Sequence, residues 1–210
     1  FKDSVLFFRL GDFYEMFFED AITASRELEI TLTQRDCGMK DKAPMCGVPH
    51  HVAEVYISRL VSKGYKVAVA EQIEDPSLAK GIVKRDVIRV VTPGTITDTN
   101  VLDEKTNNYL TSIFLDDLSV GFSYVDNSTG EMYTTEYRGK TIEENYEFVV
   151  DELGKIYPKE IICNSKFMEN KKYTKLIENY INPYYNVYDF DNTSKTKSIE
   201  KIKKQFRVSS

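Results

Sequence analysis

"VLFFRLGDFYEMFFEDAITASREL" occupies residues 5–28, and its reading decides the first half of the chain. Val5–Leu10 is an apolar run that reads as a buried strand. Beyond it, Tyr14, Phe17, Phe18, Ala21, Ala24, Ser25 and Leu28 recur at three- and four-residue spacing. That period predicts a helix from about Asp12 to Leu28 with one apolar stripe. Asp12 then takes the N-cap position and Glu15 lies three residues later, the spacing of a capping box with Asp in place of Ser or Thr. Two readings of this first turn stand side by side. In one, Glu15 is a carboxylate at the positive end of a helix dipole and Phe13 is an aromatic staple on Phe7 or Phe8. In the other, Phe13 and Glu15 project past the helix end, because helical side chains tilt toward the N-terminus. They then form an aromatic wedge beside a hydrogen-bond acceptor.

Working outward, "EITLTQR" (29–35) alternates and reads as a strand. Gly, Pro and Asp break residues 36–51 into a loop. Val52, Val55, Tyr56 and Leu60 mark a second helix, stopped by Gly64. "KVAVAEQI" (66–73) and "VIRVV" (87–91) are strands, so the first half is a mixed α/β unit. Residues 92–108 hold Pro, Gly, Thr, Asn and Asp with no sustained period and read as a linker. The second half runs βββαβαβα. "YLTSIFL", "VGFSYVD" and "EMYTTEY" are its first strands, and "NSTG" is a turn between the last two. A helix through "TIEENYEFVVDEL", a strand "EIIC", a helix "KKYTKLIENYI", a strand "YYNVYDF" and a basic helix "SIEKIKKQF" follow. A meander continued by βα units on one sheet resembles the ribonuclease-H-like architecture.

Composition bounds the function. The chain has 210 residues, comfortable for two domains, and its 12 Phe and 14 Tyr supply a core for each. It holds no apolar run of the roughly 18 residues a membrane helix needs. It opens on Phe1 without a signal-peptide pattern, and so reads as a piece of something longer. Three cysteines, an odd and sparse set, fit a reducing intracellular compartment. Residues 1–97 carry 13 Lys plus Arg against 14 Asp plus Glu, and residues 98–210 carry 15 against 19. Neither half shows the basic excess of a stand-alone nucleic-acid binder.

Three motifs lead elsewhere. "RGKT" (138–141) sits where a phosphate loop would, but Thr134 stands where the Walker pattern needs a glycine, so no nucleotide is expected in this chain. Cys37, Cys46, His50 and His51 match no common zinc spacing, and no metal is expected. Asp116, Asp117, Asp126, Glu131 and Asp151 are the carboxylates that a two-metal nuclease would need at one face of the second sheet. Asp116, Asp117 and Asp126 fall at strand ends and turns, where solvated carboxylates are the rule. The sequons "NST" (127–129) and "NTS" (192–194) matter only in a secreted protein.

"LFFRLGDFYEMFFEDA", "LEITLTQRD", "APMCGVPHH", "AEQIEDP", "GIVKRDVIRVVTPGT" and "NNYLTSI" follow one another in the order and spacing of the N-terminal half of the MutS family of DNA mismatch-repair recognition proteins. The resemblance is nearly continuous over residues 5–112 and looser, by architecture, to about 207. It implies an α/β chain of two domains: a mixed-sheet mismatch-recognition domain at 1–95 and, after a linker at 96–106, a ribonuclease-H-like, non-catalytic connector at 107–210 that stops before its expected C-terminal portion. It places the family's Phe-x-Glu motif on Phe13-Tyr14-Glu15. Phe13 would enter the minor groove and stack on a mispaired or unpaired base, and Glu15 would hydrogen-bond that base. Further DNA contacts are expected at Leu10, Asp12, Arg35 and Met45.

The family's clamp, lever and ATPase domains are absent from this sequence. The resemblance places ATP and Mg in the missing ATPase domain, and this chain is expected to be no enzyme although its parent is expected to be a DNA-dependent ATPase. Implied partners are mismatched double-stranded DNA, a second copy bound through the missing domains, and a MutL-type protein at the connector. No membrane is implied, and the setting is the bacterial cytoplasm, on the nucleoid. Two other functional classes stay open: a ribonuclease-H-like nuclease in the second half, and a pure protein-interaction module.

Overall fold

A computed structural model describes residues 3–38, 40–74, 83–96, 107–188 and 195–208. The chain divides into two compact units, Phe1–Tyr109 with Asp126–Glu131, and Leu110–Val125 with Met132–Ser210.

In the first unit, β1 (Ser4–Leu10) and β2 (Phe13–Phe17) form an antiparallel hairpin, with Leu10 opposite Phe13. The helix α1 starts only at Phe18 and ends at Leu28. The expected helix over Asp12–Leu28 is thus corrected in its first third. Gly11 has φ +58° and Asp12 has an ordinary negative φ, which is the two-residue hairpin turn that takes glycine first. Along β2 the burial alternates, with Tyr14 and Met16 inside and Phe13, Glu15 and Phe17 on the other side. Of the residues that matched a helical stripe at 14, 17, 18 and 21, Tyr14 and Phe17 thus lie on opposite faces of the strand. Phe18, half exposed with φ 52°, is the strained junction between strand and helix.

Two further corrections follow. Of residues 29–35 only β3 (Thr33–Arg35) is strand, because α1 runs to Leu28 and Glu29 closes it in the left-handed region at φ 57°. The expected loop at 36–51 contains β4 (Ala43–Pro49), then a short 3₁₀ turn at His50–Val52. Proline usually excludes a strand interior because it cannot donate to the ladder. Here β4 pairs with β3 through 43–45 and with β2 through 45–49. Pro44 and Pro49 each lie where β4 has one neighbour, so neither breaks a doubly bonded position.

The helix α2 (Ala53–Ser62) follows, with Gly64 at φ +88° just past its end, then β5 (Lys66–Gln72) and β6 (Arg85–Val91). The six strands order β3-β4-β2-β1-β5-β6, with β1 and β5 parallel and every other pair antiparallel. One face of the sheet is the core: Val5, Phe7, Tyr14, Met16, Cys46, Val48, Val67 and Val69 pack with Ala21, Ala24 and Leu28 of α1 and Ile57, Leu60 and Val61 of α2. Thr92–Ile96 closes the unit with a capping box between Thr92 and Thr95. Of the linker expected over 92–108, or 96–106, residues 97–106 lie outside the described residues, as does the second sequon.

The second unit contains β7 (Tyr109–Leu115), β8 (Val120–Asp126), β9 (Met132–Tyr137), α3 (Ile142–Ile156), β10 (Glu160–Cys163), α4 (Ser165–Glu169), α5 (Lys171–Tyr180), β11 (Tyr184–Val187) and α6 (Lys195–Phe206). The sequence pattern gave all of these but α4, a five-residue helix too short to show a period. The order β11-β10-β7-β8-β9, with β7, β10 and β11 parallel and β8 and β9 antiparallel, is the ribonuclease-H-like sheet. Its core joins Ile113, Leu115, Val120, Phe122, Ile161 and Cys163 to Tyr146, Val149, Leu153, Phe167, Tyr173 and Ile177 from the helices. No helix among the described residues is long and apolar enough to cross a membrane.

Candidate nucleic-acid interface

In the first unit the face of the sheet opposite α1 and α2 is read from cross-strand partners. Leu10 faces Phe13, Phe8 faces Glu15, Glu15 faces Gly47, Phe17 faces Met45 and Met45 faces Thr33. Partners share a face, so Phe8, Leu10, Phe13, Glu15, Phe17, Met45 and Arg35 lie on one surface. Five of the six residues expected to meet DNA, Leu10, Phe13, Glu15, Arg35 and Met45, are thereby brought together. The sixth, Asp12, is exposed in the hairpin turn beside them.

Phe13 is the most exposed apolar member, 46% exposed although it is a large aromatic in a strand. Its exposure follows from its place at the hairpin tip, next to the turn and on the uncovered side. It is neither a staple nor the first turn of a helix. Glu15 is two residues on and therefore on the same side. Its carboxylate receives a hydrogen bond from Arg35 Nη1 through Oε2 and forms an ion pair with that guanidinium. The Arg35 side chain is about half open to water and that of Glu15 is largely covered, and with one partner so exposed the pair is worth about 1 kcal/mol. It leaves Oε1 with its acceptor capacity, because a carboxylate offers about four lone-pair sites.

Two residues outside the sequence-based expectation shape this surface. Gly47 lies beside Glu15: a Cβ there would stand 3.2 Å from the Tyr14 carbonyl and 3.5 Å from Glu15 Cγ. Any side chain there would crowd the Tyr14 carbonyl, while the contact with Glu15 would be an ordinary van der Waals one. Arg85, from β6, places its guanidinium 5.2 Å from the centre of the Phe8 ring. Only a register could have revealed either, since both are remote from the motif in sequence. The turn itself is held by His50, whose backbone N–H donates to the Asp12 carbonyl at 2.9 Å with the ring Nδ1 3.1 Å from the same oxygen. His50 thus serves the hairpin, and among the described residues no group of three or more His, Cys, Asp or Glu is placed to hold a metal.

The other motifs have local partners. In "RGKT" the Gly139 N–H donates to Asn145 Oδ1 at 2.8 Å and the Lys140 N–H to Glu144 Oε2 at 2.7 Å. The amides that a phosphate loop would offer are engaged by the protein. Asp116 Oδ1 accepts from the Leu118 and Ser119 amides, both at 2.8 Å, which lowers its pKa below the usual carboxylate value. Asp117 pairs with Lys166 at 2.5 Å, and Asp126 accepts from the Ser128 amide and hydroxyl. These carboxylates serve turns and a surface ion pair.

The chain matches the family model of MutS domain I over residues 1–100 and that of MutS domain II over residues 108–210. It belongs to the MutS family. Proteins named DNA mismatch repair protein MutS are similar to it over nearly its whole length. That of Alkaliphilus oremlandii is 56% identical over 211 residues, covering 99% of this chain and 24% of the relative. That of Acetivibrio thermocellus is 51% identical over 207 residues, covering 99% and 23%. The chain therefore spans about a quarter of the length of the MutS relatives it matches. Within the MutS frame, the hairpin and its surface lie in domain I, and the ribonuclease-H-like sheet lies in domain II.

Proposed function

We propose that the open surface of the first sheet recognises mispaired or unpaired bases in double-stranded DNA as part of mismatch repair. Phe13 is the wedge that enters the minor groove, and Glu15 accepts a hydrogen bond from the base it meets. The observation that carries this reading is the shared strand face: an exposed aromatic at a hairpin tip with a carboxylate two residues along on the same side. The name and similarity of the MutS relatives support it.

The physics suits the residue types. Inserting an apolar wedge unstacks a base step and kinks the duplex, at a cost of about a few kcal/mol. A mismatched or extra base already stacks and pairs poorly, so the cost is lower there. Selectivity then comes from deformability and not from a base code. Arg35 orients the Glu15 carboxylate and leaves one oxygen for the base. Leu10 and Met45 extend the apolar surface, and Asp12 borders it. The first half is nearly neutral, which predicts weak backbone binding by this chain alone. Grip on the phosphates, ATP and Mg binding, self-association and a MutL-type partner are assigned to the longer bacterial protein, acting on DNA in the cytoplasm.

The test is binding of the longer protein carrying this chain to duplexes with and without a mismatch. Phe13→Ala brings mismatch affinity down toward the matched level while the melting temperature holds. A variant that melts much earlier and still discriminates would sink the wedge.

A further inference from the structure

The hairpin that carries Phe13 has an uneven backing. On one side, β2 stays paired with β4 up to Phe13 opposite Pro49, next to the turn. On the other, the parallel ladder between β1 and β5 ends at Phe8 opposite Ala70, short of the turn. Side chains take over where that ladder stops. Arg9 and Tyr14 are cross-strand partners, and both lie on the helix-covered side. Tyr14 Oη donates to Glu71 Oε1 on β5. Arg9 Nη1 stands 3.6 Å from the same oxygen, and the guanidinium is 5.5 Å from the centre of the Tyr14 ring. Arg9 Nε donates to the Gly11 carbonyl at 2.5 Å, inside the turn. Arg85 Nε adds a bond from β6 to the Arg9 carbonyl at 2.9 Å.

We infer that Arg9, Tyr14 and Glu71 are positioning residues for Phe13, a side-chain brace that ties the hairpin tip to β5 and holds it rigid as the wedge enters DNA. The inference rests on the reading of Phe13 as the wedge. Tyr14 directly separates Phe13 from Glu15 in the chain, so a shift of its backbone moves both. Burial, followed by the bond to Glu71, raises the Tyr14 pKa to about 12, so the phenol keeps its proton and remains a donor at neutral pH. A tyrosine that merely filled the core would need some partner for its hydroxyl. It would not need one on the strand beyond its neighbour, shared with an arginine that reaches back into the turn.

Tyr14→Phe removes the hydroxyl and keeps the ring in the core, and Glu71→Gln weakens both spokes without changing shape. Each is made in the longer protein carrying this chain and assayed for mismatched and matched duplex binding, thermal unfolding and amide exchange. Either variant is expected to lower the mismatch-to-match affinity ratio by about tenfold, the lower end of the scale for one lost bond to a charged group. Matched-duplex affinity stays put, and exchange quickens at residues 9–14 and not in the middle of β5. The deciding arm is the double variant Phe13→Ala with Tyr14→Phe. A brace that acts through Phe13 adds no further loss once the wedge is gone. Unchanged discrimination in both single variants, or a full additive loss in the double, overturns the inference. Phe13→Ala alone reports separately on the wedge: if it keeps discrimination, the parent reading fails whatever the brace variants do.

Discussion

Asp12–Glu15 and Thr141–Glu144 share one spacing, a short polar residue with a glutamate three places on, and they fold in opposite ways. At Thr141 the pattern caps a helix. The hydroxyl accepts from the Glu144 amide at 3.3 Å, and the Glu144 carboxylate reaches back to the Lys140 amide at 2.7 Å. At Asp12 the same pattern spans a turn and the start of a strand. Glu15 caps nothing and faces Arg35. The difference lies in the neighbours. Residues 13–17 have β1 on one side and β4 on the other to complete their backbone bonds. Residues 142–156 satisfy theirs within the helix and bury one stripe. A glutamate bound to the amide just before its own helix is spent on structure. A glutamate on an open strand face is available to a ligand.

That contrast can be broken experimentally, starting with the largest effect. Tyr14→Ala should destabilise the chain by about 3–5 kcal/mol, since its ring is buried in the first core and little can collapse into the space. Denaturant unfolding of the 210-residue chain measures it. Its neighbour Phe13, on the outward face, should cost under about 1 kcal/mol in the same assay. In the longer protein Phe13→Ala should instead lose about 1–3 kcal/mol of preference for mismatched DNA, the worth of one aromatic stack. Equal stability losses at the two positions would erase the alternation on which the interface is built.

Thr141→Ala should cost about 1 kcal/mol of stability through its lost cap, with heteroduplex binding unchanged. Glu15→Ala is its counterpart and should reverse the pattern. Stability stays within about 0.5 kcal/mol, as for a surface substitution. The gap between mismatched and matched DNA narrows by about 1 kcal/mol, and matched binding rises as a carboxylate near phosphate is removed. A Glu15→Ala chain that loses a cap-sized increment of stability and keeps its discrimination would return Glu15 to a structural role. The smallest effect belongs to Lys140→Ala, within about 0.5 kcal/mol of stability and with no change in nucleotide binding by calorimetry.

The second unit was legible almost throughout because each element shows a single signal. Residues 109–115 are a short run rich in apolar and β-branched residues, residues 120–126 alternate, residues 142–156 repeat at helical spacing, and polar segments (116–119, and 127–131 with Asn127 and Gly130) separate the strands. The first unit was legible from α2 onward, and Ala43–Pro49 was hidden by two prolines whose harmlessness depends on which neighbours pair where. The identity of the site residues was carried by a motif. Their common face was not, because Phe13 and Glu15 lie 200° apart on a helix and side by side on a strand.

By itself, the sequence determined the α/β class, the two-part division, the residue pair that meets DNA in the proposed reading and the lack of a basic surface. Those properties reside in composition, local period and motif, which need no distant partner. Tertiary structure decided whether residues 13–17 would be helix or strand, and hence which side chains share a surface. The apolar positions 14, 17, 18 and 21 fit the helical period, whereas the strand buries 14 and 16 and turns 17 to the other face. Only the backbone hydrogen bonds offered by β1 and β4, forty residues apart in sequence, tip the segment to the strand. The same pairing brings Arg35 to Glu15 and leaves Gly47 beside it, while Glu71 reaches Tyr14 across β1. Each of these contacts exists because the sheet brings strands distant in the chain within side-chain reach of one another.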